Sequence, residues 1–88
     1  MNIYYTSQFK KDYKRIKKQN KDLRKLRDVI EKLSSRQKLE PKLKDHKLTG
    51  EWEGHRDCHI GPDWLLIYRL TENELFLERT GSHSTLFK

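Results

Sequence analysis

All four histidines of this 88-residue chain lie in its second half, at His46, His55, His59 and His83. The imidazole side chain gives and takes protons near neutral pH, which suits it to general acid–base catalysis. The chain also carries 20 Lys and Arg residues against 13 Asp and Glu residues, for a formal net charge of +7. Because a surface of this charge attracts polyanions, the histidines predict acid–base chemistry on RNA.

Cleavage of RNA beside a 2′-hydroxyl requires three kinds of group. A base removes the proton of the 2′-hydroxyl, a cation or donor stabilises the charged phosphorane, and an acid protonates the leaving 5′ oxygen. A reference pKa of about 6.5 suits imidazole to the first and third tasks. The planar guanidinium of Arg suits the second. RNA supplies its own nucleophile, so this chemistry needs no metal.

Length and composition limit the class of protein. A chain of 88 residues predicts one domain, residues 1–88, with a small core. It contains no apolar run long enough to span a bilayer, and its N-terminus lacks the pattern of a signal peptide. The single Cys58 excludes an internal disulfide and a cysteine-rich zinc site. We therefore expect a reducing, cytoplasmic setting and no membrane association.

The first half of the chain predicts a strand followed by a helical hairpin. Residues 2–5 have the pattern of a short strand, and Thr6 and Ser7 are suited to cap a helix N-terminus. Asn20 or Asp22 then separates the first helix from the second. The apolar positions at helical spacing are Phe9, Tyr13 and Ile16 in the first helix and Leu23, Leu26, Val29, Ile30 and Leu33 in the second.

The second half predicts a loop and then three strands. Residues 34–44 have no period and contain Pro41, so they read as a loop that ends just before His46. Residues 55–60 alternate, which places His55, Asp57 and His59 on one side of a strand. Gly61, Pro62 and Asp63 form a tight turn. Two further strands follow at residues 64–70 and 75–80, and residues 81–84 turn outward.

This order of elements predicts an α+β fold. The last three strands form an antiparallel meander, and the N-terminal strand and helical hairpin pack on one face of a twisted, mainly antiparallel sheet. The other face is left open. His59 and His83 are placed to reach that open face.

Taken one at a time, the candidate site residues have ordinary structural explanations. His59 fits a half-exposed strand residue, His83 a solvated turn residue, and Asp63 a common turn residue. The prediction of a site therefore depends on their joint presence. His46, His59, Asp63 and His83 are also zinc-ligand types, but the chain has no His-x-x-x-His pair on a helix, so we predict no metal and no other cofactor.

A series of short motifs makes the C-terminal half specific. They are Lys44-Asp45-His46 with Leu48 and Gly50, Trp52 with Gly54, Arg56-Asp57-Cys58-His59, Pro62-Asp63-Trp64, Ile67-Tyr68, Glu78-Arg79-Thr80-Gly81-Ser82-His83, and Leu86-Phe87. Together they resemble the YafQ branch of the RelE-type toxins of bacterial toxin–antitoxin systems, in the RelE/ParE superfamily. The resemblance is close over about half of the chain, and the basic hairpin agrees with it in layout.

The resemblance implies a compact, microbial-ribonuclease-like fold. It implies a toxin of a type II toxin–antitoxin system that acts as a ribosome-dependent mRNA endoribonuclease, or mRNA interferase, and inhibits translation. It also implies neutralisation by a small acidic antitoxin of the DinJ type, whose C-terminal segment wraps the toxin.

Carried over position by position, the resemblance implies a catalytic set of His46, His59, Asp63 and His83. His83 would be the general acid, either His59 or Asp63 the base, and His46 a residue that orients or stabilises the phosphate.

Further positions match residues that line the site of such toxins, namely Asp57, Trp64 and Phe87. Arg79 is the candidate for stabilising the phosphorane. His55 departs from the pattern, because Tyr or Phe is expected there.

Two other functions remain open at this point. Toxins of the ParE kind share the architecture but poison DNA gyrase without cutting RNA, and a plain RNA- or ribosome-binding domain would need no chemistry. The set of histidines favours the enzyme, because neither alternative has an evident use for it.

Overall fold

The computed structural model describes residues 1–87, which form five strands and three α-helices. Their bounds are β1 Asn2–Tyr5, α1 Ser7–Lys18, α2 Leu23–Ser34, β2 His46–Lys47, β3 Arg56–Gly61, β4 Trp64–Leu70, β5 Glu74–Gly81 and α3 His83–Leu86. Short 3-10 helices at Pro41–Leu43 and Gly50–Trp52 flank β2. In this part of the chain, no helix is long and apolar enough to cross a membrane.

The helical hairpin begins where the sequence predicts it. The Oγ1 atom of Thr6 accepts the backbone N–H of Phe9 at 3.0 Å, which caps α1. The Oδ1 atom of Asp22 accepts the backbone N–H of Arg24 at 3.1 Å, so Asp22 rather than Asn20 caps α2. Both caps satisfy amide groups that have no partner within their helix.

The sheet has the order β1-β5-β4-β3-β2, with β1 parallel to β5 and every other pair antiparallel. The predicted mainly antiparallel sheet is therefore confirmed. Strand β2 was not predicted, because two residues are too few to show an alternating pattern. It places His46 directly opposite Asp57.

The two sides of the sheet differ in what covers them. On the side that we call the helix side, α1 and α2 pack over a core that includes Cys58, Leu66 and Leu77. The opposite side, which we call the open side, carries Leu65 and Ile67. Alternation along β3 assigns Asp57 and His59 to the open side, because Cys58 and Ile60 lie in the helix-side core.

Helix α3 corrects the prediction that residues 81–84 turn outward. The Oγ atom of Ser82 accepts the backbone N–H of Thr85 at 3.2 Å and caps this short helix. Leu86 is buried against Leu65 and Ile67, with Phe87 beside them. The open side is thus partly covered, because folding back removes these apolar side chains from water.

Candidate active site

The sheet register places His46 and His59 on the open side, and His83 follows β5 along the chain. His46 is paired with Asp57 across β2 and β3, and His59 is paired with Leu65 across β3 and β4. Leu65 is in turn paired with Gly81, two residues before His83. The backbone at His59 and the backbone at Gly81 therefore flank Leu65, and His83 begins α3 two residues after Gly81.

A buried carboxylate lies among these histidines. Asp57 is only 2% exposed, and its Oδ1 atom lies 3.1 Å from Nδ1 of His46. The same Nδ1 lies 2.8 Å from the carbonyl oxygen of Lys44, and its N–H is aligned with that carbonyl. The Oδ1 atom of Asp57 consequently accepts no hydrogen bond within residues 1–87. A buried polar atom without a donor is rare and costly.

The charge state of Asp57 depends on the imidazoles around it. Burial raises the pKa of the Asp57 carboxyl, and positive charge on His46, His59 and His83 opposes that rise. All three rings therefore lie within electrostatic reach of this carboxylate.

Asp63 ties the histidine-bearing helix to the sheet. It occupies the turn between β3 and β4 in a left-handed conformation, with φ at 48°, and its Oδ1 atom accepts the backbone N–H of His83 at 2.9 Å. The ring of His83 is exposed, and its centroid lies 5.0 Å from that of Phe87. Asp63 therefore holds the backbone of His83, and Phe87 packs beside its ring.

Two predicted site residues make their hydrogen bonds to groups outside the cluster of histidines. Trp64 is 3% exposed within the helix-side core, and its Nε1–H donates to Oγ1 of Thr80 at 2.9 Å. The guanidinium of Arg79 donates to the carboxylate of Asp12 on α1, from Nε at 2.7 Å and from Nη2 at 3.1 Å. Its side chain is 19% exposed.

His55 stands apart from the group around Asp57. Its Nε2 atom lies 3.1 Å from Oε2 of Glu78, and its ring meets Trp52 edge-on. Within the described residues, no three metal-ligating side chains are close enough to hold an ion.

The sequence did not single out Asp12, because it lies in a run of charges that is typical of a solvated helix face.

Comparison with known proteins places the chain in a family. Residues 1–88 match the family described as bacterial toxin of type II toxin–antitoxin system, YafQ. The chain belongs to the YafQ family. The family resemblance of the C-terminal motifs is thus confirmed and extends over the whole chain.

Individual YafQ proteins agree in sequence and in structure. The mRNA interferase toxin YafQ of Escherichia coli strain K12 is 45% identical over 86 residues, which are 97% of this chain and 94% of that protein. The crystal structure of YafQ from E. coli strain BL21(DE3) matches with a TM-score of 0.95 and 43% identity, covering 99% of this chain and 98% of that one. This match confirms the predicted fold class.

A second YafQ structure contains a partner. In the E. coli DinJ–YafQ complex, the matching chain has a TM-score of 0.91 and 44% identity and covers 99% of this chain and 98% of its own length.

Proposed function

We propose that this chain cuts mRNA on the ribosome by metal-independent acid–base catalysis on the open side of its sheet. As a YafQ-family protein it is a type II toxin of the mRNA interferase class. The observation that carries the mechanism is the grouping of three imidazoles, from His46, His59 and His83, around the buried carboxylate of Asp57.

The proposed reaction uses one imidazole on each side of the scissile phosphate. His59 takes the proton of the 2′-hydroxyl, the 2′ oxygen attacks phosphorus, and the bond from phosphorus to the 5′ oxygen breaks. His83 gives its proton to that oxygen. The products are a 2′,3′-cyclic phosphate and a 5′-hydroxyl. The strands that carry His59 and Gly81 are separated by β4, a span of about 10 Å that leaves room for the phosphate.

The hydrogen bond that Asp63 accepts favours His59 as the base. One of its carboxylate oxygens already accepts the backbone N–H of His83. We therefore assign Asp63 to holding α3 in place and His59 to proton abstraction. Because Asp57 lies beside His59 on the open side, its negative charge stabilises the imidazolium that His59 becomes.

The remaining predicted residues take supporting parts. The side chain of His46 is 53% exposed, and its Nδ1 is fixed by Lys44, so Nε2 is left to face a phosphate oxygen. Phe87 packs against His83. Trp64 supports the site from the helix side through Thr80 rather than by touching RNA. Arg79 stabilises the phosphorane with the part of its guanidinium that Asp12 leaves free.

The proposed partners follow from charge and geometry. A net charge of +7 suits docking on ribosomal RNA. The ribosome would also hold the message in the in-line geometry that a site with weak acid–base groups needs. An acidic antitoxin like the DinJ chain of the E. coli complex would complement the same charge. With these partners, the proposed location is the cytoplasm.

The test is primer extension on programmed ribosomes incubated with wild-type protein, His59→Ala or His83→Ala. Wild type should cut within the message, and each variant should cut at least about 100-fold more slowly, since an acid or base contributes about 10²–10⁴. His55→Ala is the matched control, because His55 pairs with Glu78 outside the site, and it should cut at nearly the wild-type rate.

Cutting by His83→Ala at the wild-type rate would overturn the assignment of the acid. DNA breaks in expressing cells without mRNA cleavage would instead indicate a gyrase poison. Ribosome binding without any cleaved product would indicate a non-catalytic binding domain.

A further inference from the structure

A fully buried carboxylate on α1 lies beneath the end of β5. Asp12 is 0% exposed, and its two oxygens accept four hydrogen bonds. Oδ1 accepts from Nη1 of Arg15 at 2.9 Å and from Nη2 of Arg79 at 3.1 Å. Oδ2 accepts from Nε of Arg79 at 2.7 Å and from the backbone N–H of Thr80 at 3.1 Å. Asp12 thus joins two guanidinium groups and one strand amide.

These bonds take the place of strand pairing at the edge of the sheet, beyond the point where β1 ends. Strand β1 pairs with β5 only as far as Leu77. Beyond that point, Thr6 bonds the carbonyl oxygens of Leu77 and Glu78, from its backbone N–H at 3.2 Å and from Oγ1 at 3.0 Å. Asp12 then accepts the N–H of Thr80, and Nη2 of Arg15 donates to its carbonyl oxygen at 2.9 Å. Side chains of α1 therefore hold the last residues of β5.

The segment held in this way leads directly into the proposed site. Arg79 lies within it, and His83 follows three residues after Thr80. Space is tight at the corner that the chain forms from Thr80 to His83, because a Cβ atom at Gly81 would lie 2.6 Å from Nη2 of Arg15. A change at Asp12 is thus transmitted to both the candidate phosphate-binding arginine and the candidate acid.

We propose that Asp12 is a positioning residue for RNA cleavage, acting through Arg79 and through the corner from Thr80 to His83. The inference rests on the proposed function, since it assumes that Arg79 and His83 serve the reaction. Asp12 does not touch the RNA. It fixes the direction of the guanidinium of Arg79 and the start of α3.

Positioning by Asp12 depends on its negative charge as much as on the shape of its side chain. All four partners are donors, so an uncharged amide at this position would point its NH₂ group at a donor and break at least one bond. It would also leave the guanidinium groups of Arg15 and Arg79 side by side without a buried negative charge. We expect Arg79 to leave its place and the corner to loosen.

The test compares Asp12→Asn with wild type in single-turnover cleavage on programmed ribosomes, at a temperature at which circular dichroism shows both proteins folded. The maximal rate should fall at least tenfold, while the ribosome concentration for half-maximal rate changes less than twofold. Asp28→Asn is the matched control, because it makes the same change at an exposed position of α2, and it should leave both values unaltered.

A double-variant experiment separates positioning from a purely structural role. If Asp12 acts largely through Arg79, Asp12→Asn combined with Arg79→Ala should cut little more slowly than the slower single variant. A purely structural Asp12 would lower the melting temperature and leave the maximal rate of the folded protein unchanged, which would overturn the proposal.

Should Asp12→Asn fail to fold, Arg15→Gln tests the same corner from a partly exposed residue. It should lower the maximal rate at least threefold without altering the half-maximal concentration, and a wild-type rate would overturn the proposal. Absence of cutting by wild type would instead contradict the proposed function itself.

Discussion

The two sides of the sheet divide the work of this protein between them. On the helix side, buried polar groups have partners: Trp64 donates to Thr80, Thr80 donates to the carbonyl oxygen of Leu65, and the hydroxyl of Tyr68 donates to Asp45. On the open side, Oδ1 of Asp57 has no donor within the described part of the chain, and imidazoles surround the carboxylate. One side thus stabilises the fold, and under the proposed mechanism the other side keeps a costly charge for chemistry.

A single strand shows how close these two environments are. Cys58 and Ile60 of β3 are buried in the core. Asp57 and His59 alternate with them along the strand and line the open side. Burial raises the pKa of the Cys58 thiol as well as that of Asp57. The thiol remains neutral and only packs, whereas the carboxylate has three imidazoles to balance it.

The largest effect on stability should come from the helix side. Leu66→Ala removes a fully buried side chain and leaves a cavity, so the free energy of unfolding should fall by about 2–5 kcal/mol. At low temperature, the protein that stays folded should still cut RNA at close to the wild-type rate. Urea denaturation and the cleavage assay measure the two quantities.

The matched change on the open side is His59→Ala, on the strand next to the one that carries Leu66. It should alter the free energy of unfolding by less than about 0.5 kcal/mol while nearly abolishing cleavage. The division between the sides fails if His59→Ala destabilises the fold as much as Leu66→Ala does.

A smaller and opposite effect is expected at Asp57. Because burial raises its pKa in the folded state, ionisation is less favourable there than in the unfolded chain. The contribution of Asp57 to stability is therefore fully present below the ordinary carboxyl pKa of about 3.9 and is lost as pH rises through the higher folded value. Asp57→Asn should be more stable than wild type at pH 7 by about 1 kcal/mol.

Thermal melts of wild type and Asp57→Asn from pH 3 to pH 8 check this sign. The difference in stability should shrink towards zero at the acidic end, and the variant should cut RNA more slowly at pH 7. A variant that is less stable than wild type at pH 7 would mean that Asp57 stabilises the fold.

The sequence predicts most of the fold because regular periods mark its longer elements. The apolar stripes of α1 and α2 and the alternation in β3 predict those elements with bounds within a few residues. Strand β2 and helix α3 are too short to carry a period, and each depends on contacts made elsewhere: β2 on pairing with β3, and α3 on burial of Leu86.

The candidate site divides in the same way. Residue types and family resemblance predict His46, His59 and His83, and the fold brings all three within electrostatic reach of Asp57. What sequence could not supply is the helix-side support, because a buried Asp12 between two arginines looks the same in a sequence as an aspartate in a solvated charge run.

The most direct test of imidazole catalysis on the open side is the pH dependence of single-turnover cleavage by wild type, His59→Ala and His83→Ala. Wild type should give a bell-shaped profile, since the base must be free of its proton and the acid must hold one. His59→Ala should lose the rise on the acidic side, and His83→Ala should lose the fall on the alkaline side. Slow variants that both keep the complete bell would contradict the account.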